Sequence, residues 1–322
     1  MQKIIKNAEL HESMGSSKFN PIQDQDLVLI FYDKRRRWIR KVEKGQEFHC
    51  DRGYFKYDDI IEKVEFGTVI KIAPNGNKIQ LLKPLPSDIV TKMGRESQII
   101  YPEDIGLILM YTGIGPGSKV VEAGCGSGSL TSIMGYYVRP SGHIYSYDIR
   151  DVAVKQALKN VKRVLGADSE VVSIELKDLI TEVHHQDIDV VMLDMATPWL
   201  AIPKAYEFLK KSGICCSFSP VVEQVIKTHA AMKQAGFMQI ETYELLKRSI
   251  QVKDNATRPE TRMVGHTGYI SFGRKIDDPF RNEQKVQPKN EFVDMALKFD
   301  LKNENEEDNP SDETDEDEYQ DE

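Results

Sequence analysis

Cysteine is scarce in this sequence, and long apolar runs are absent. The 322 residues include four cysteines, none of them in C-x-x-C spacing: Cys50, Cys125, Cys215 and Cys216. This pattern indicates neither a disulfide framework nor a zinc site, so we expect reduced thiols and no metal. No apolar run approaches the roughly 20 residues that span a bilayer, and the first ten residues lack the apolar core of a signal peptide. We therefore expect a cytoplasmic protein without a membrane span.

The C-terminal end lacks basic residues. Residues 303–322 hold twelve acids and neither Lys nor Arg, whereas the whole chain has a net charge of −8, so the remainder is mildly basic at +4. A segment this acidic and this poor in aliphatic side chains buries too little apolar surface to offset its ordering entropy. We therefore expect residues 277–322 to be a disordered acidic tail.

Residues 1–90 predict a small β domain. Short β-branched runs at 27–31, 38–42, 68–72 and 78–82 are separated by Gly or charged turns, which favours a small barrel or sandwich. The basic turn 34–37 lies close to several aromatic residues, a combination that can hold phosphates and stack bases. We predict RNA contact here, with a plain solvated turn as the alternative. The acidic tail is then either a solubilising segment or an electrostatic competitor that raises selectivity for the correct RNA.

Residues 91–276 predict a different architecture, in which buried strands alternate with amphipathic helices. This order is typical of a doubly wound, Rossmann-like α/β sheet. Two final β runs follow one another without a helix between them, which favours an antiparallel pair at the end of the sheet. The predicted strands are 119–123, 143–147, 171–176, 190–193, 213–219, 237–246 and 267–274, and the predicted helices are 105–112, 130–138, 152–165, 202–209 and 221–235.

A glycine-rich loop follows the first of these strands. Its glycines, spaced G-x-G-x-G after an acid, let the backbone turn sharply and approach a ligand. Dinucleotide folds instead use G-x-G-x-x-G to hold a pyrophosphate. An acid at the end of the second strand is placed to accept hydrogen bonds from two ribose hydroxyls. Acids beside the loop favour cationic S-adenosylmethionine over NAD, and a simple tight turn is the alternative. The candidate cofactor residues are Glu122, Gly124, Gly126, Ser127, Gly128, Ser129, Leu130 and Asp148.

Two further strand ends bring acids to the same edge of the sheet. Asp178 follows the third strand, where it can bond an adenine amino group while Leu179 packs on the ring. Asp194 follows four apolar residues of the fourth strand, and Pro198 with Trp199 stiffens the loop behind it. Ligands bind outside the carboxyl ends of such strands, so Asp178, Leu179 and Asp194 join the candidate cofactor site. A helix N-cap is the alternative for each acid.

Four segments carry a resemblance to a known family: Gln98–Asp104, Glu122–Thr131, Leu193–Trp199 and Gly265–Gly268. The chain resembles the archaeal and bacterial tRNA (adenine-N1)-methyltransferases over roughly residues 20–275. That resemblance implies S-adenosylmethionine as methyl donor, T-loop adenosine 58 of tRNA as substrate, adenosine 57 as an additional target in archaeal members, and a homotetramer. Two positions depart from the family pattern, because Glu103 stands where Lys is usual and Cys125 where Thr is usual.

The resemblance also implies roles for individual residues. Asp194 is the candidate catalytic residue, which would accept from the exocyclic amine of the target adenine. The candidate substrate-binding residues are Gln98, Tyr101, Arg258, His266 and Thr267. Arg258 is chosen for its charge, as a phosphate contact, and not from the resemblance. The alternative for Tyr101 is an aromatic residue that caps the methionine end of the cofactor, and the alternative for His266 is a structural role. Two alternatives stay open, a methyltransferase of the same fold acting on another substrate and a non-catalytic tRNA-binding subunit of a two-chain enzyme.

Overall fold

The computed structural model describes residues 19–93 and 99–277. Gln98 and the acidic tail from residue 278 onward lie outside these ranges, so what the sequence predicts for them stays a prediction. The strands are β1 Leu27–Phe31, β2 Arg37–Lys41, β3 Glu47–Cys50, β4 Gly53–Lys56, β5 Thr68–Ile72, β6 Asn77–Leu82, β7 Lys119–Ala123, β8 His143–Asp148, β9 Val172–Leu176, β10 Ile188–Leu193, β11 Leu209–Ser219, β12 Phe237–Glu244, β13 Ile250–Gln251, β14 Arg258–Pro259 and β15 Tyr269–Lys275. The helices are α1 Pro86–Lys92, α2 Pro102–Thr112, α3 Ser129–Val138, α4 Asp151–Leu165, α5 Pro198–Phe208 and α6 Val222–Ala235.

The N-terminal strands form an antiparallel sheet in the order β2-β1-β6-β5, with β3 and β4 paired as a separate hairpin. Strands β5 and β6 form a hairpin, in which Ile72 and Asn77 are register partners on either side of the turn. Phe48 and Phe55 from the hairpin pack into the apolar core of this β module. The module lies against α4, where Arg163 Nη2 donates to the backbone oxygen of Ile39 at 3.2 Å.

The second sheet confirms the predicted fold class. Its strand order is β12-β15-β11-β10-β7-β8-β9. The strands from β11 to β9 run parallel, and β15 is antiparallel to both of its neighbours, β11 and β12. This is the doubly wound α/β arrangement with an antiparallel end that the order of elements predicts.

Alternating side chains of the central strands form two cores, one on each face of this sheet. Val120 packs on one face with Ile108 and Met134, which come from α2 and α3. Its neighbour Val121 packs on the other face with Ile202 of α5. Successive residues of a strand point to opposite faces, so an unbroken apolar run is what a strand covered on both sides requires. The two layers of helices leave the carboxyl ends of the parallel strands open.

Several elements differ from the sequence prediction. The short strands β3, β4, β13 and β14 and the helix α1 were not predicted, because their runs are too short for a clear hydrophobic period. Helix α5 starts at Pro198 instead of residue 202, since proline needs no backbone N–H at the first helical position.

All four cysteines are free thiols. Among the described residues, no helix combines the length and apolarity needed to cross a bilayer.

Candidate active site

Two adjoining cavities lie at the carboxyl ends of the parallel strands. The larger, which we call the cleft, has a volume of about 580 Å³, and the smaller has about 180 Å³. Gly124, Arg150 and Asp194 line both. The cleft is further lined by Ala123, Tyr147, Asp148, Ile149, Lys177, Asp178, Leu179, Met195, Ala196, Thr197, Pro220 and Gln224. The smaller cavity is further lined by Ile99, Ile100, Cys125, Gly126, Ser127, Ser129 and Leu130.

The glycine loop is shaped by close contacts within the protein. A Cβ on Gly124 would lie 1.8 Å from the backbone oxygen of Asp194, and one on Gly128 would lie 2.7 Å from Cα of Ala157. Both glycines also have positive φ, +89° and +75°, which side chains disfavour. These two glycines therefore press the loop against the Asp194 segment and α4. Gly128 lies outside the set of residues that line the two cavities.

Glu122 lies beneath the loop and not on the cavity surface. Its carboxylate accepts hydrogen bonds from Thr131 Oγ1 at 2.6 Å and from Ser146 Oγ at 2.5 Å, and its side chain is buried. Burial raises the pKa of Glu122 to about 7, although both hydroxyls oppose that shift. The acid ties β7, β8 and α3 together directly under the predicted cofactor loop.

Asp148 ends β8 with its carboxylate buried at the cleft wall. One oxygen accepts from the backbone N–H of Gly126 at 3.1 Å, and the guanidinium of Arg150 bonds both oxygens. Burial would raise the pKa of Asp148, but the hydrogen bonds from Arg150 and Gly126 outweigh it and hold the pKa below its usual value. Asp148 is therefore ionised, which suits an acceptor of hydroxyl donors.

Asp194 stands directly after β10, where the two cavities meet. Its backbone N–H donates to the oxygen of Ala123 at 2.9 Å, which fixes the start of the loop. Its carboxylate receives no hydrogen bond from the described residues. Burial, followed by the charge of Asp148, raises the pKa of Asp194 to about 7. A desolvated carboxylate at a cavity wall is typical of a functional group.

Asp178 and Leu179 line the cleft after β9, as the sequence predicts. One carboxylate oxygen of Asp178 accepts from the backbone N–H of Ile180 at 2.8 Å, and the backbone N–H of Asp178 donates to Glu182 at 2.7 Å. The residues after Asp178 form a turn and not a helix, so the alternative role as a helix N-cap is not what the structure shows. Leu179 is buried and presents an apolar surface.

None of the predicted substrate-binding residues that the structure describes lines either cavity. Tyr101 is the residue before α2 and follows Ile99 and Ile100, which line the smaller cavity. Arg258 lies exposed in the β13–β14 hairpin. Glu103 forms an ion pair with Lys247 at 2.6 Å, so the acid that departs from the family pattern is neutralised within the chain.

His266 has two acceptors, one for each ring nitrogen. Nδ1 lies 2.6 Å from a carboxylate oxygen of Glu244, and Nε2 lies 2.8 Å from the backbone oxygen of Pro220, which lines the cleft. The Glu244 contact and then the Pro220 contact raise the pKa of His266, because the doubly protonated ring satisfies both acceptors. His266 thereby ties the end of β12 to the cleft rim, with Thr267 half-buried beside it.

Sequence reasoning missed two polar residues of the cleft, Arg150 and Gln224. Arg150 could have been predicted from the sequence, since it follows Asp148 by two residues. Gln224 gave no signal, because its hydrogen-bond partner Ala196 is 28 residues away. Within the described residues, no group of three or more His, Cys, Asp or Glu side chains is arranged to hold a metal ion.

A doubly wound sheet with an antiparallel end, a glycine loop after the first strand and an ionised acid after the second define the class of S-adenosylmethionine-dependent methyltransferases. The chain belongs to the family described as the tRNA methyltransferase complex GCD14 subunit, whose model matches residues 78–257.

Two relatives illustrate this family. The chain is 34% identical over 283 residues to the tRNA (adenine(57)-N(1)/adenine(58)-N(1))-methyltransferase TrmI of Methanocaldococcus jannaschii, covering 80% of this chain and 98% of the relative. It is 30% identical over 261 residues to the tRNA (adenine(58)-N(1))-methyltransferase catalytic subunit TRM61 of Candida albicans, covering 80% of this chain and 77% of the relative. Both matches extend over most of each protein.

Two solved structures share the fold of this chain. An S-adenosylmethionine-dependent O-methyltransferase from Thermotoga maritima superposes with a TM-score of 0.72 at 29% identity, over 80% of this chain and 96% of that one. The tRNA (m1A58) methyltransferase TrmI from Aquifex aeolicus superposes with a TM-score of 0.66 at 25% identity, over 80% of this chain and 100% of that one. Both confirm the fold that the strand order defines.

The residues present fit S-adenosylmethionine. The cleft volume lies within the range of about 300–1,000 Å³ typical of small-molecule sites. Ser129 Oγ, at the smaller cavity, is buried and has no hydrogen-bond partner among the described residues. The lining contains the carboxylates of Asp148 and Asp194 as well as the cations of Arg150 and Lys177, and carboxylates suit a sulfonium and an ammonium group. Asp148 would hold the ribose hydroxyls, and Asp178 with Leu179 would hold the adenine.

Proposed function

We propose that this protein is a tRNA (adenine-N1)-methyltransferase that uses S-adenosylmethionine to methylate N1 of T-loop adenosine 58, with adenosine 57 as a second candidate target. The observation that carries this proposal is the position of Asp194, whose carboxylate has no partner in the described part of the chain and stands where the two cavities meet. The names of the two relatives and of the Aquifex structure support the same reaction.

For this reaction the protein has mainly to orient the reacting atoms and to stabilise the positive charge that develops. Bound S-adenosylmethionine supplies an electrophilic methyl group. Adenine N1 already carries a lone pair, so no residue has to remove a proton before the transfer. Asp194 accepts from the exocyclic amine, which holds the base and stabilises the positive charge that spreads over the ring. Orienting the reacting atoms is worth on the order of 7–11 kcal/mol in such reactions.

The β module is proposed as the RNA-contacting part. The N1 edge of a stacked base is inaccessible, so the target adenosine must leave its stack at a cost of a few kcal/mol. Contacts with the tRNA backbone offset that cost. Lys34 and Arg35 are exposed in the basic turn, and Arg36 stacks over the ring of Tyr32 at 4.9 Å. In this division residues 1–90 bind RNA and residues 91–276 hold the methyl-transfer site.

A non-catalytic subunit is the rival from another class. Such a subunit has no need of a cofactor loop, whereas Gly124, Asp148 and Asp194 are all present and adjoin one another here. A methyltransferase acting on another substrate is the rival within the class, and the basic turn of the β module argues against it. By the family resemblance we further propose a cytoplasmic homotetramer. Light scattering of the purified protein would test the number of subunits.

The test is incubation of the full chain with labelled S-adenosylmethionine and unmodified tRNA transcripts, followed by nuclease digestion and mass spectrometry. We expect N1-methyladenosine in the T-loop. A transcript with uridine at the target position is the matched control and should take up no label there. Binding of S-adenosylmethionine without label in any tRNA would favour another substrate, and absence of cofactor binding in calorimetry would favour the non-catalytic subunit.

A further inference from the structure

Gln224 joins the loop that carries Asp194 to the first turn of α6. Its side-chain Nε2 donates to the backbone oxygen of Ala196 at 2.8 Å. Ala196 lies two residues after Asp194, and all three residues line the cleft. The hydrogen bond therefore crosses from the segment after β10 to the segment after β11, at the edge of the sheet where the cleft opens.

The orientation of this amide is fixed by chemistry. A backbone oxygen can only accept a hydrogen bond, so the NH₂ group of Gln224 must face Ala196 and the amide oxygen must face away. That oxygen is buried and has no hydrogen-bond partner among the described residues. An unpaired buried acceptor destabilises the folded state. The side chain thus keeps its bond to the loop although its own oxygen is left unsatisfied.

The Asp194 carboxylate depends on this support. No described residue donates a hydrogen bond to it, so its direction follows from the backbone on either side. On the N-terminal side, the Asp194 N–H donates to Ala123 at 2.9 Å. On the C-terminal side, the loop before α5 is held by the hydrogen bond between Gln224 and Ala196 and by the packing of Met195 against the apolar core.

We propose that Gln224 is a positioning residue, which holds the Asp194 loop so that the carboxylate meets the exocyclic amine of the target adenine. This inference rests on the proposed function. It assigns Gln224 no contact with the reacting atoms. Its effect is transmitted through the backbone of residues 194–196, and a misplacement of about 1 Å at such a site can cost about 100-fold in rate.

Two variants test the proposal, each compared with one control. Gln224→Glu is nearly isosteric but presents an oxygen to the Ala196 oxygen, and Gln224→Met removes the hydrogen bond without adding charge. Gln234→Glu makes the same change in charge near the exposed end of the same helix. Each protein is assayed on two tRNAs that differ at the target position, one with adenosine and one with purine riboside, which lacks the exocyclic amine.

We expect both Gln224 variants to lose about 10- to 100-fold in kcat on the adenosine tRNA. Binding of S-adenosylmethionine should stay within about twofold, because the bond to Ala196 is not part of its predicted contacts. On the purine tRNA the loss relative to wild type should be under about threefold, since Asp194 has no amine to meet there. Such a double-mutant cycle isolates the coupling between Gln224 and the amine. Gln234→Glu should match wild type on both tRNAs.

Hydrogen exchange of the free protein adds a measurement that does not depend on activity. The amides of residues 194–197 should exchange faster in both Gln224 variants than in wild type and Gln234→Glu. Unchanged exchange, unchanged kcat on the adenosine tRNA, or equal losses on both tRNAs would each overturn the positioning role. If wild type methylates neither tRNA while loop exchange still rises in the variants, the proposed function fails but the Gln224 contact with the loop stands, without its link to the amine.

Discussion

Arg150 bonds both carboxylate oxygens of Asp148, with Nε 3.0 Å from Oδ1 and Nη2 3.1 Å from Oδ2. Arg150 follows Asp148 by two residues. The two side chains differ in exposure, since that of Asp148 is buried and that of Arg150 is 60% exposed. The pair keeps an acid charged at a place where burial alone would neutralise it. It also places a cation between the two cavities, because Arg150 lines both.

Arg150→Ala should raise the pKa of Asp148, because burial then acts without the guanidinium. Ionised Asp148 is the form that accepts from ribose hydroxyls, so binding of S-adenosylmethionine should weaken on acidification at a higher pH than in wild type. Calorimetric titrations between pH 4 and 8 measure this shift. If the affinity for S-adenosylmethionine falls at the same pH in both proteins, Arg150 does not control the charge of Asp148.

Asp194→Asn should lower turnover on tRNA by about 100-fold or more, whereas binding of S-adenosylmethionine, which Asp148 and Asp178 would also hold, should weaken far less. The wild-type pKa of about 7 also gives a pH signature. The carboxylate is ionised above that pH and neutral below it, so kcat/KM should rise with pH through about 7. Turnover of Asp194→Asn close to the wild-type rate would refute the assigned role.

Glu122→Gln should change how stability depends on pH. The folded pKa of about 7 exceeds the ordinary value of 4.5, so the folded state binds the proton more tightly and wild type loses stability as pH rises from about 4.5 to about 7. The full effect is about 3 kcal/mol. Gln is neutral throughout and keeps an acceptor for Thr131 and Ser146. Denaturant unfolding should show that the free energy of unfolding of the variant, relative to wild type, is higher at pH 8 than at pH 5. The same difference between the two proteins at both pH values would contradict this.

Gly124→Ala should abolish binding of S-adenosylmethionine, because the added Cβ would lie 1.8 Å from the backbone oxygen of Asp194. Residue 124 also has a φ of +89°, which alanine disfavours. Gly106→Ala is the matched control. A Cβ at Gly106 meets nothing within 4 Å, and alanine favours a helix, so that variant should bind normally and be as stable as wild type or slightly more stable. Calorimetry and thermal unfolding measure both. Normal binding by Gly124→Ala would mean that the loop can move without loss of the site.

Replacing Lys34 and Arg35 by Glu should weaken tRNA binding and make it less dependent on salt. Each lost phosphate contact reduces the slope of log affinity against log salt by about 0.7–0.9. Lys211→Glu is the control, because Lys211 is exposed near the start of β11, at the opposite end of that strand from the cleft. Fluorescence anisotropy at several salt concentrations gives the slopes. An equal change in Lys211→Glu would indicate a general charge effect instead of a binding surface in the β module.

Much of the fold followed from local pattern. The unbroken apolar run of β10 and the alternation of strands with helices indicated a covered parallel sheet, and the absence of a helix between the last two runs indicated the antiparallel end. The β3–β4 hairpin and α1 escaped prediction, because a few residues carry no distinct period and their stability comes from packing against the rest of the module.

The sequence by itself indicated the candidate site residues at the strand ends, since a glycine loop, Asp148, Asp178 and Asp194 each stand at or just after the end of a predicted strand, and topology brings these ends to one edge. Only the tertiary structure decided what each of them contacts. Glu122 lies under the loop, and Gly128 packs against α4. Gln224 meets Ala196 across 28 residues of chain. Strand ends are set by local hydrophobic pattern, whereas contacts between distant segments depend on how the helices pack against the sheet, which no short-range pattern encodes.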